Sequence, residues 1–309
     1  MKAVVINEYG NNDVINLIER DIPQPAAGEI LVKVYTAGVN PVDWRIRSGA
    51  GARFGLTLPI PLGSEIAGVV EKLGDSVSGF KPGDAVYGKI RTGGFAEYAI
   101  AQVEDVALKP QQLDYIQAAA IPLAALTAWQ GMFDSGKLTS GQRILITGAS
   151  GGVGSLAVQL AKAKGAYVIG TASGRNKSFV EQLGVDEFVD YTGEKLADKV
   201  SDVDLVFDTV GGETYLQAFS VLKAGGYFVT AVEFPTEEQR NTYGDHLARV
   251  FCKSDPDDLA AISALVDSQQ LVPHIATVLP LSEVKQALEL SETRRTRGKI
   301  VLQIAADQN

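Results

Sequence analysis

The feature that most constrains the fold is the glycine-rich stretch GASGGVG at residues 148–154. Glycine loses more backbone freedom on folding than any other residue, so four glycines in seven positions need a structural reason. The apolar stretch RILIT precedes them, and in VGSLAVQLAKAKG, which begins at Val153, apolar residues recur at helical spacing. The glycines are therefore predicted to form a turn between a strand and a helix.

A turn of this kind favours phosphate binding. The first backbone N–H groups of a helix have no partner within the helix, and its dipole is positive at that end. The spacing Ala149-x-Gly151-x-x-Gly154 matches the dinucleotide-binding fingerprint, with alanine in the first position. For the bare pattern, a purely structural tight turn is the alternative.

The surrounding sequence favours the dinucleotide interpretation. Strands and helices alternate through residues 140–252, which indicates an α/β domain with a doubly wound parallel sheet. The predicted strands continue with AYVIGTAS, EFVDY, DLVFDTVGG and YFVTAV, and the predicted helices are NKSFVEQLG and ETYLQAFSVLKAGG. The polar stretch EFPTEEQRNTYGD, residues 233–245, is predicted to be a solvated loop, with a lid over a cofactor as the alternative.

The first 121 residues follow a different pattern. Short strands such as EILVKVYTAG and EIAGVVEKLG are bounded by turn residues, which predicts a mostly antiparallel, barrel-like β domain. The last strand, KIVLQI, needs a sheet partner, and the simplest one lies in this β domain. The predicted domains are 1–121, 122–252 inserted into the β domain, and 253–309 returning to it. We expect a ligand cleft between the two domains.

Composition narrows the functional classes. The 309 residues suffice for about two domains. Lys and Arg number 28 against 37 Asp and Glu, a net charge of −9 that argues against a nucleic-acid-binding protein. The single cysteine, Cys252, allows no intramolecular disulfide. We see no signal peptide and no apolar run of about 18 residues, and we expect a cytoplasmic protein.

Motifs along nearly the whole chain resemble the medium-chain dehydrogenase/reductase superfamily, and within it the zinc-free quinone oxidoreductase-like (zeta-crystallin-like) branch. They occur in the family's order: AGVNPVDWRIRSG, PLGSEIAGVV, FKPGDAVYG, GGFAEYAI, AAAIPLAALTAW, ITGASGGVGSLAVQLAKAKGA, DLVFDTVGG and RGKIVL. The resemblance implies a GroES-like, mostly β catalytic domain with a Rossmann domain inserted into it.

The resemblance also bears on zinc. Asn40 stands where zinc-dependent relatives have a cysteine ligand, and Ser64 stands where they have a histidine. Glu65 is kept, but a catalytic zinc needs three protein ligands and an open position. The two histidines, His246 and His274, occur in other contexts and are interpreted as ordinary surface or packing residues. We therefore expect no metal.

A zinc-free site suits quinones and alkenes conjugated to a carbonyl, because a hydrogen-bond donor can stabilise the oxygen that becomes negative. We predict Asn40, Asp43 and Arg45 as catalytic residues. The Asn40 amide is expected to donate to a carbonyl or to the nicotinamide ribose, and Asp43 to orient Arg47 or a neighbouring group. Arg45 is expected to polarise an oxygen. A turn at NPVD and a surface salt bridge of Arg45 are the alternatives.

The cofactor is predicted to be NADPH. The segment after the second strand, Ser173 to Lys177, contains Arg175 and no acid, and these groups can receive a 2′-phosphate. Solvated residues at a helix start are the alternative. Lys299 is interpreted as a strand-edge lysine, with a cleft residue as the alternative, and Phe54, Leu56 and Leu58 as core or pocket residues. The predicted cofactor-binding residues, several of them implied by the family, are Thr127, Ala149, Ser150, Gly151, Gly152, Val153, Gly154, Ser173, Arg175, Lys177, Tyr191, Val210, Gly211, Ala231 and Val232.

The leading hypothesis is thus an NADPH-dependent reductase of quinones or α,β-unsaturated carbonyls. A 2-enoyl-thioester reductase of the same superfamily and a non-catalytic NADPH-binding sensor or RNA-binding protein are the alternatives. We expect a small-molecule substrate, no nucleic-acid or membrane partner, and a homodimer, as is common in the family.

Overall fold

The computed structural model describes residues 1–305, which form two compact units. The first unit contains Met1–Leu123, Ser254–Asp267 and the chain from Pro273 onward. The second contains Ala124–Lys253 and Ser268–Val272. No helix among the described residues is both long enough and apolar enough to cross a membrane.

The strands are β1 (Lys2–Ile6), β2 (Ile15–Glu19), β3 (Glu29–Val39), β4 (Ile60–Pro61), β5 (Glu65–Leu73), β6 (Ala85–Lys89), β7 (Tyr98–Gln102), β8 (Val106–Leu108), β9 (Arg143–Ile146), β10 (Tyr167–Ala172), β11 (Glu187–Asp190), β12 (Val203–Asp208), β13 (Leu222–Thr230), β14 (Leu247–Arg249), β15 (Ile275–Pro280) and β16 (Lys299–Gln303). The helices are α1 (Pro41–Arg47), α2 (Tyr115–Ala118), α3 (Pro122–Trp129), α4 (Gly152–Ala163), α5 (Lys177–Gln182), α6 (Leu196–Lys199), α7 (Gly212–Ala218), α8 (Glu237–Tyr243), α9 (Pro256–Asp267) and α10 (Val284–Glu292).

The second unit contains one parallel sheet in the order β11-β10-β9-β12-β13-β14. Its central strands β9, β10 and β12 are largely buried and contain many β-branched residues, as expected for a sheet covered on both faces. The strand order reverses at β9, because β10 lies on one side of it and β12 on the other. Ligands of open parallel sheets bind at the carboxyl edge beside such a reversal. The predicted doubly wound α/β fold is confirmed.

The first unit is mostly antiparallel β structure. Its large sheet follows the order β15-β16-β3-β5-β6-β8, and β7 also pairs with β3. A smaller sheet has the order β2-β1-β4. The last strand, β16, pairs antiparallel with β3, so the C-terminal segment returns to the N-terminal β structure, as predicted. This pairing aligns Ile300 with Val39, which precedes Asn40, and thereby places the C-terminal strand beside the segment that contains Asn40.

The structure differs from the sequence predictions in three places. Residues 233–245 were predicted as a loop, but they contain α8, because Thr236 caps the helix and Gln239 completes a capping box. The helix predicted over 213–226 ends at Ala218, since β13 begins at Leu222. The stretch after Asn40 is the short helix α1, not a simple turn, with Pro41 at its first position.

Candidate active site

The glycine-rich stretch joins β9 to α4 through contacts that tolerate no side chain at two positions. Gly148 has φ +67°, which favours glycine. A Cβ atom on Gly154 would lie 2.1 Å from the carbonyl oxygen of Gly148. The helix begins at Gly152, and its N-cap residue, Gly151, has no side chain to cap it. Its first backbone N–H groups and its dipole therefore form a cradle that fits a pyrophosphate.

A network of side chains connects this turn to the end of β10. Asn176 donates a hydrogen bond to Ser150 Oγ at 3.1 Å and another to Ser173 Oγ at 3.2 Å. Ala149 is buried, and its N–H group donates to the carbonyl oxygen of Thr171 at 2.9 Å. The structure thus brings the predicted residues Ser150 and Ser173 together, and Asn176, which we did not predict, joins them.

The predicted cations lie on the solvent-exposed side of this segment. Arg175 and Lys177 are exposed, and the Lys177 ammonium lies 3.8 Å from Glu181. An acid that we did not predict also lies at this segment. The Asp190 carboxylate lies beside Gly174, and hydrogen bonds from Thr192 and Gly174 hold its pKa below the usual value. The site therefore combines two cations with a carboxylate.

The remaining predicted cofactor residues fall in three places. Thr127 is buried in α3, and Tyr191 is exposed directly after β11. The other four follow the carboxyl ends of two adjacent strands, β12 and β13, and they are Val210, Gly211, Ala231 and Val232.

The first unit contains a buried cluster around Glu65. Lys299 Nζ donates to Glu65 Oε2 at 2.8 Å and to Asn40 Oδ1 at 2.5 Å. The Asn40 amide donates to the same Glu65 oxygen at 2.7 Å, and Leu123 N–H donates to Glu65 Oε1 at 2.8 Å. Glu65 is fully buried and Lys299 is 5% exposed, so interpreting Lys299 as a strand-edge lysine was wrong. A lone lysine at the start of a buried strand was the available signal.

A second buried pair adjoins this cluster. Ser64 Oγ donates to Asp43 Oδ1 at 3.0 Å, and Asn40 N–H donates to Asp43 Oδ2 at 2.8 Å. Burial raises the pKa of Asp43 from 3.8 to about 7, although these hydrogen bonds oppose the shift. Of the two partners expected for Asp43, these contacts are with neighbouring groups and not with Arg47. Arg47 donates instead to the Gly10 carbonyl oxygen and to Glu292.

The other predicted substrate-side residues lie closer to solvent. The Arg45 guanidinium lies 5.3 Å from the centre of the Trp44 ring, within cation–π distance. Phe54 is 46% exposed and Leu58 is 38% exposed, so neither is a core residue. Leu56 is half-buried and packs against the core of the first unit.

The cluster does not fit a zinc ion. Across residues 1–305 no group of three or more His, Cys, Asp or Glu side chains could hold a metal. An amide at Asn40 and a hydroxyl at Ser64 are not the ligands that zinc selects. The Glu65 carboxylate already binds an ammonium group, whose positive charge would repel a metal cation.

Known protein families match segments in both the N-terminal and the C-terminal part of the chain. Residues 26–111 match the family model of the alcohol dehydrogenase GroES-like domain, and residues 183–302 match that of the zinc-binding dehydrogenase. The 2-methylene-furan-3-one reductase of Solanum lycopersicum is 36% identical, with 98% of this chain and 79% of that protein aligned. The chain belongs to the quinone oxidoreductase-like branch of the medium-chain dehydrogenase/reductase superfamily.

Solved structures of this branch are similar over nearly their whole length. The quinone oxidoreductase from Coxiella burnetii has a TM-score of 0.91 and 32% identity, covering 98% of this chain and 99% of that one. The Escherichia coli quinone oxidoreductase complexed with NADPH has a TM-score of 0.88 and 26% identity, covering 98% and 100%. This medium-chain reductase is an oxidoreductase that uses a nicotinamide cofactor.

Proposed function

We propose that this reductase uses NADPH to reduce quinones or α,β-unsaturated carbonyl compounds, without a metal ion. The observation that carries the proposal is the buried cluster of Asn40, Asp43, Ser64, Glu65 and Lys299, which combines a cation, hydrogen-bond donors and a carboxyl group with a pKa of about 7. The similar proteins support the substrate class, because they are named for quinones and for a conjugated enone.

When bound, the reduced nicotinamide supplies a hydride to the acceptor. The residues of the glycine-rich turn, Ala149 to Gly154, are proposed to bind the pyrophosphate at the start of α4. Ser173, Arg175 and Lys177 are proposed to bind the 2′-phosphate, which selects NADPH over NADH. The proposed contacts to the rest of the cofactor are Thr127, Tyr191, Val210, Gly211, Ala231 and Val232.

The chain must also supply a proton, because hydride addition leaves negative charge on an acceptor oxygen. We assign this role to Asp43 acting through Ser64. In protonated Asp43 the O–H group donates to Ser64 Oγ, so that the Ser64 hydroxyl hydrogen is free to donate to the acceptor oxygen. The proton lost from Asp43 returns from solvent after the reaction. A pKa of about 7 keeps a large share of Asp43 protonated at neutral pH.

The positive charge of Lys299 is proposed to assist this proton donation to the acceptor oxygen. Its ammonium group is held by Glu65 and by Asn40, so the cluster contains one fixed cation and one fixed anion. Asn40 is proposed to position Asp43 through its backbone N–H group. Arg45 is retained as a proposed donor to the acceptor oxygen, with its guanidinium held near Trp44.

The direct test is NADPH oxidation followed by absorbance with five acceptors: a benzoquinone, a naphthoquinone, a linear enone, a 2-alkenal and a crotonyl-type thioester. Each assay is repeated with NADH. Turnover of the quinones or of the enone and alkenal, with NADPH preferred, is the expected result. Turnover of the thioester alone would indicate an enoyl-thioester reductase. NADPH binding without turnover of any acceptor would indicate a sensor or binding protein.

We further propose a cytoplasmic homodimer with no nucleic-acid partner and with the functional domain limits at residues 121 and 252. Light scattering tests the dimer, because a particle of 32.8 kDa would be a single chain. Cell fractionation tests the location, and a gel-shift assay with RNA and DNA tests the absence of nucleic-acid binding.

A further inference from the structure

The carboxyl edge of the parallel sheet contains a buried acid that the mechanism above does not use. Asp208 is the last residue of β12 and is fully buried. Its Oδ1 atom accepts hydrogen bonds from the Thr147 hydroxyl at 2.7 Å and from the N–H groups of Val210 and Gly211 at 3.1 Å each. Its Oδ2 atom accepts from the Thr230 hydroxyl at 2.8 Å.

These bonds connect the ends of three adjacent strands. Thr147 follows β9 and immediately precedes the glycine-rich turn, Val210 and Gly211 follow β12, and Thr230 ends β13. The order β9-β12-β13 makes the three strands neighbours, so one carboxylate reaches all three.

Two threonine hydroxyls extend the network to the loops themselves. Thr147 Oγ1 accepts from Thr209 N–H at 3.0 Å, and Thr209 Oγ1 donates to the Thr147 carbonyl oxygen at 2.7 Å. Thr230 Oγ1 accepts from the N–H groups of Val232 and Glu233, each at 3.1 Å. Each hydroxyl that donates to Asp208 therefore also fixes a loop backbone.

A second carboxylate closes the network on its outer side. Glu233 Oε1 accepts from Gly212 N–H at 2.7 Å, which joins the loop after β13 to the start of α7. A Cβ atom on Gly211 would lie 2.4 Å from the same Glu233 oxygen, and the φ of Gly211 is +80°, a backbone conformation that favours glycine.

We infer that Asp208 is a positioning residue that holds the glycine-rich turn, the 209–212 loop and the 230–233 loop in one fixed arrangement for the cofactor. The inference rests on the proposed assignment of these loops to cofactor binding. Burial of a carboxylate carries a free-energy cost, and the four hydrogen bonds to Asp208 offset it. Fixed loops improve both binding and alignment, because little ordering is left to occur when the cofactor binds.

Variants of the two threonines distinguish a positioning role from a general loss of stability, because each is expected to change a different measured quantity. Thr147→Val removes the hydrogen bond to Asp208 and the one from Thr209 N–H beside the glycine-rich turn. We expect NADPH to bind about 10-fold more weakly, a loss in the range of a hydrogen bond to a charged group. Thr230→Val removes the link to residues 231–233, and we expect kcat to fall about 10-fold with a smaller change in NADPH affinity.

Asp208→Asn tests the centre of the network. The amide oxygen can keep the hydrogen bonds that Oδ1 accepts. The NH₂ group, however, is a donor that faces the Thr230 hydroxyl, so that hydroxyl must point its own hydrogen in another direction. The variant is therefore expected to resemble Thr230→Val, and combining the two changes is expected to cost little more than either alone.

Asp204→Asn is the matched control. Asp204 lies near the other end of β12, where its carboxylate accepts from Arg143 N–H and from Lys223. This variant is expected to bind NADPH and turn over like the parent protein. The readouts are NADPH titration by fluorescence, steady-state kcat and thermal unfolding.

The outcomes separate the two proposals. If the parent protein does not bind NADPH, the proposed function fails. If it binds NADPH while Asp208→Asn and both threonine variants bind and turn over unchanged, the positioning role is overturned. The positioning role is also overturned if all variants, including Asp204→Asn, lose kcat and affinity to the same degree and these losses follow the decrease in unfolding temperature.

Discussion

The glycine-rich turn and the cluster around Glu65 are built in opposite ways. The turn at residues 148–154 is made of backbone, and its parts are consecutive in the sequence. The cluster is made of side chains, and its central ion pair joins Glu65 to Lys299, which are 234 positions apart. A backbone site is thus specified by local sequence, whereas a side-chain site depends on the whole fold. The variants below test this contrast, from the largest expected effect to the smallest.

Lys299→Met should have the largest effect on stability, because it leaves the Glu65 carboxylate buried without its cation. Breaking a buried pair costs about 3–5 kcal/mol, measured as the free energy of unfolding in urea. Adding Glu65→Gln should recover part of the loss, because the charge is then removed as well. Lys223→Met is the control, since the Lys223–Asp204 pair is more exposed and is expected to contribute about 0–1 kcal/mol. Equal losses for the two lysine variants would contradict the buried role.

Asp43→Asn should change how stability depends on pH. Burial raises the pKa of Asp43 from 3.8 to about 7, so the folded state holds this proton more tightly than the unfolded chain. Its contribution is complete below pH 3.8 and is lost as the pH rises through about 7. The difference in unfolding free energy between parent and variant should therefore shift by on the order of 4 kcal/mol between pH 4 and pH 8. A difference that stays constant over this range would show that Asp43 is not perturbed.

The same contrast explains which parts of the structure could be predicted from the sequence. The strand, turn and helix around GASGGVG were predictable, because glycine spacing and apolar periodicity are local signals. The helix α8 was missed, because its residues are polar and its start depends on the cap that Thr236 provides. The buried position of Lys299 was missed, although the return of the last strand to the β domain was predicted, because the register of β16 on β3 brings Lys299 to Asn40 and Glu65. No local pattern encodes that register.

Gly154→Ala tests the backbone side of the comparison. Its Cβ atom would lie 2.1 Å from the Gly148 carbonyl oxygen, so the turn must shift. We expect about a 100-fold loss of NADPH affinity, equivalent to about 2.7 kcal/mol, measured by titration. Gly193→Ala is the control, because a Cβ atom there meets nothing within 4 Å. Unchanged affinity in Gly154→Ala would mean that the turn does not hold the cofactor.

The smallest expected effects concern the choice of nicotinamide. Asp190→Asn removes an anion beside Gly174 and should raise the ratio of kcat/KM for NADPH over NADH about threefold, in the range of surface charge interactions. Arg175→Ala combined with Lys177→Ala should lower the same ratio. Shifts in the same direction for both variants would argue against electrostatic selection at this segment.

We propose that the protonated Asp43 carboxyl and the buried Lys299 ammonium support catalysis in this reductase without a metal ion. The most direct test is turnover of a quinone and of an enone by protein treated with a strong chelator and shown by elemental analysis to be free of metal. We expect unchanged kcat in the metal-free protein, and we expect kcat to fall as the pH rises above about 7, because Asp43 then loses its proton. Loss of turnover on chelation, restored by added Zn²⁺, would contradict it.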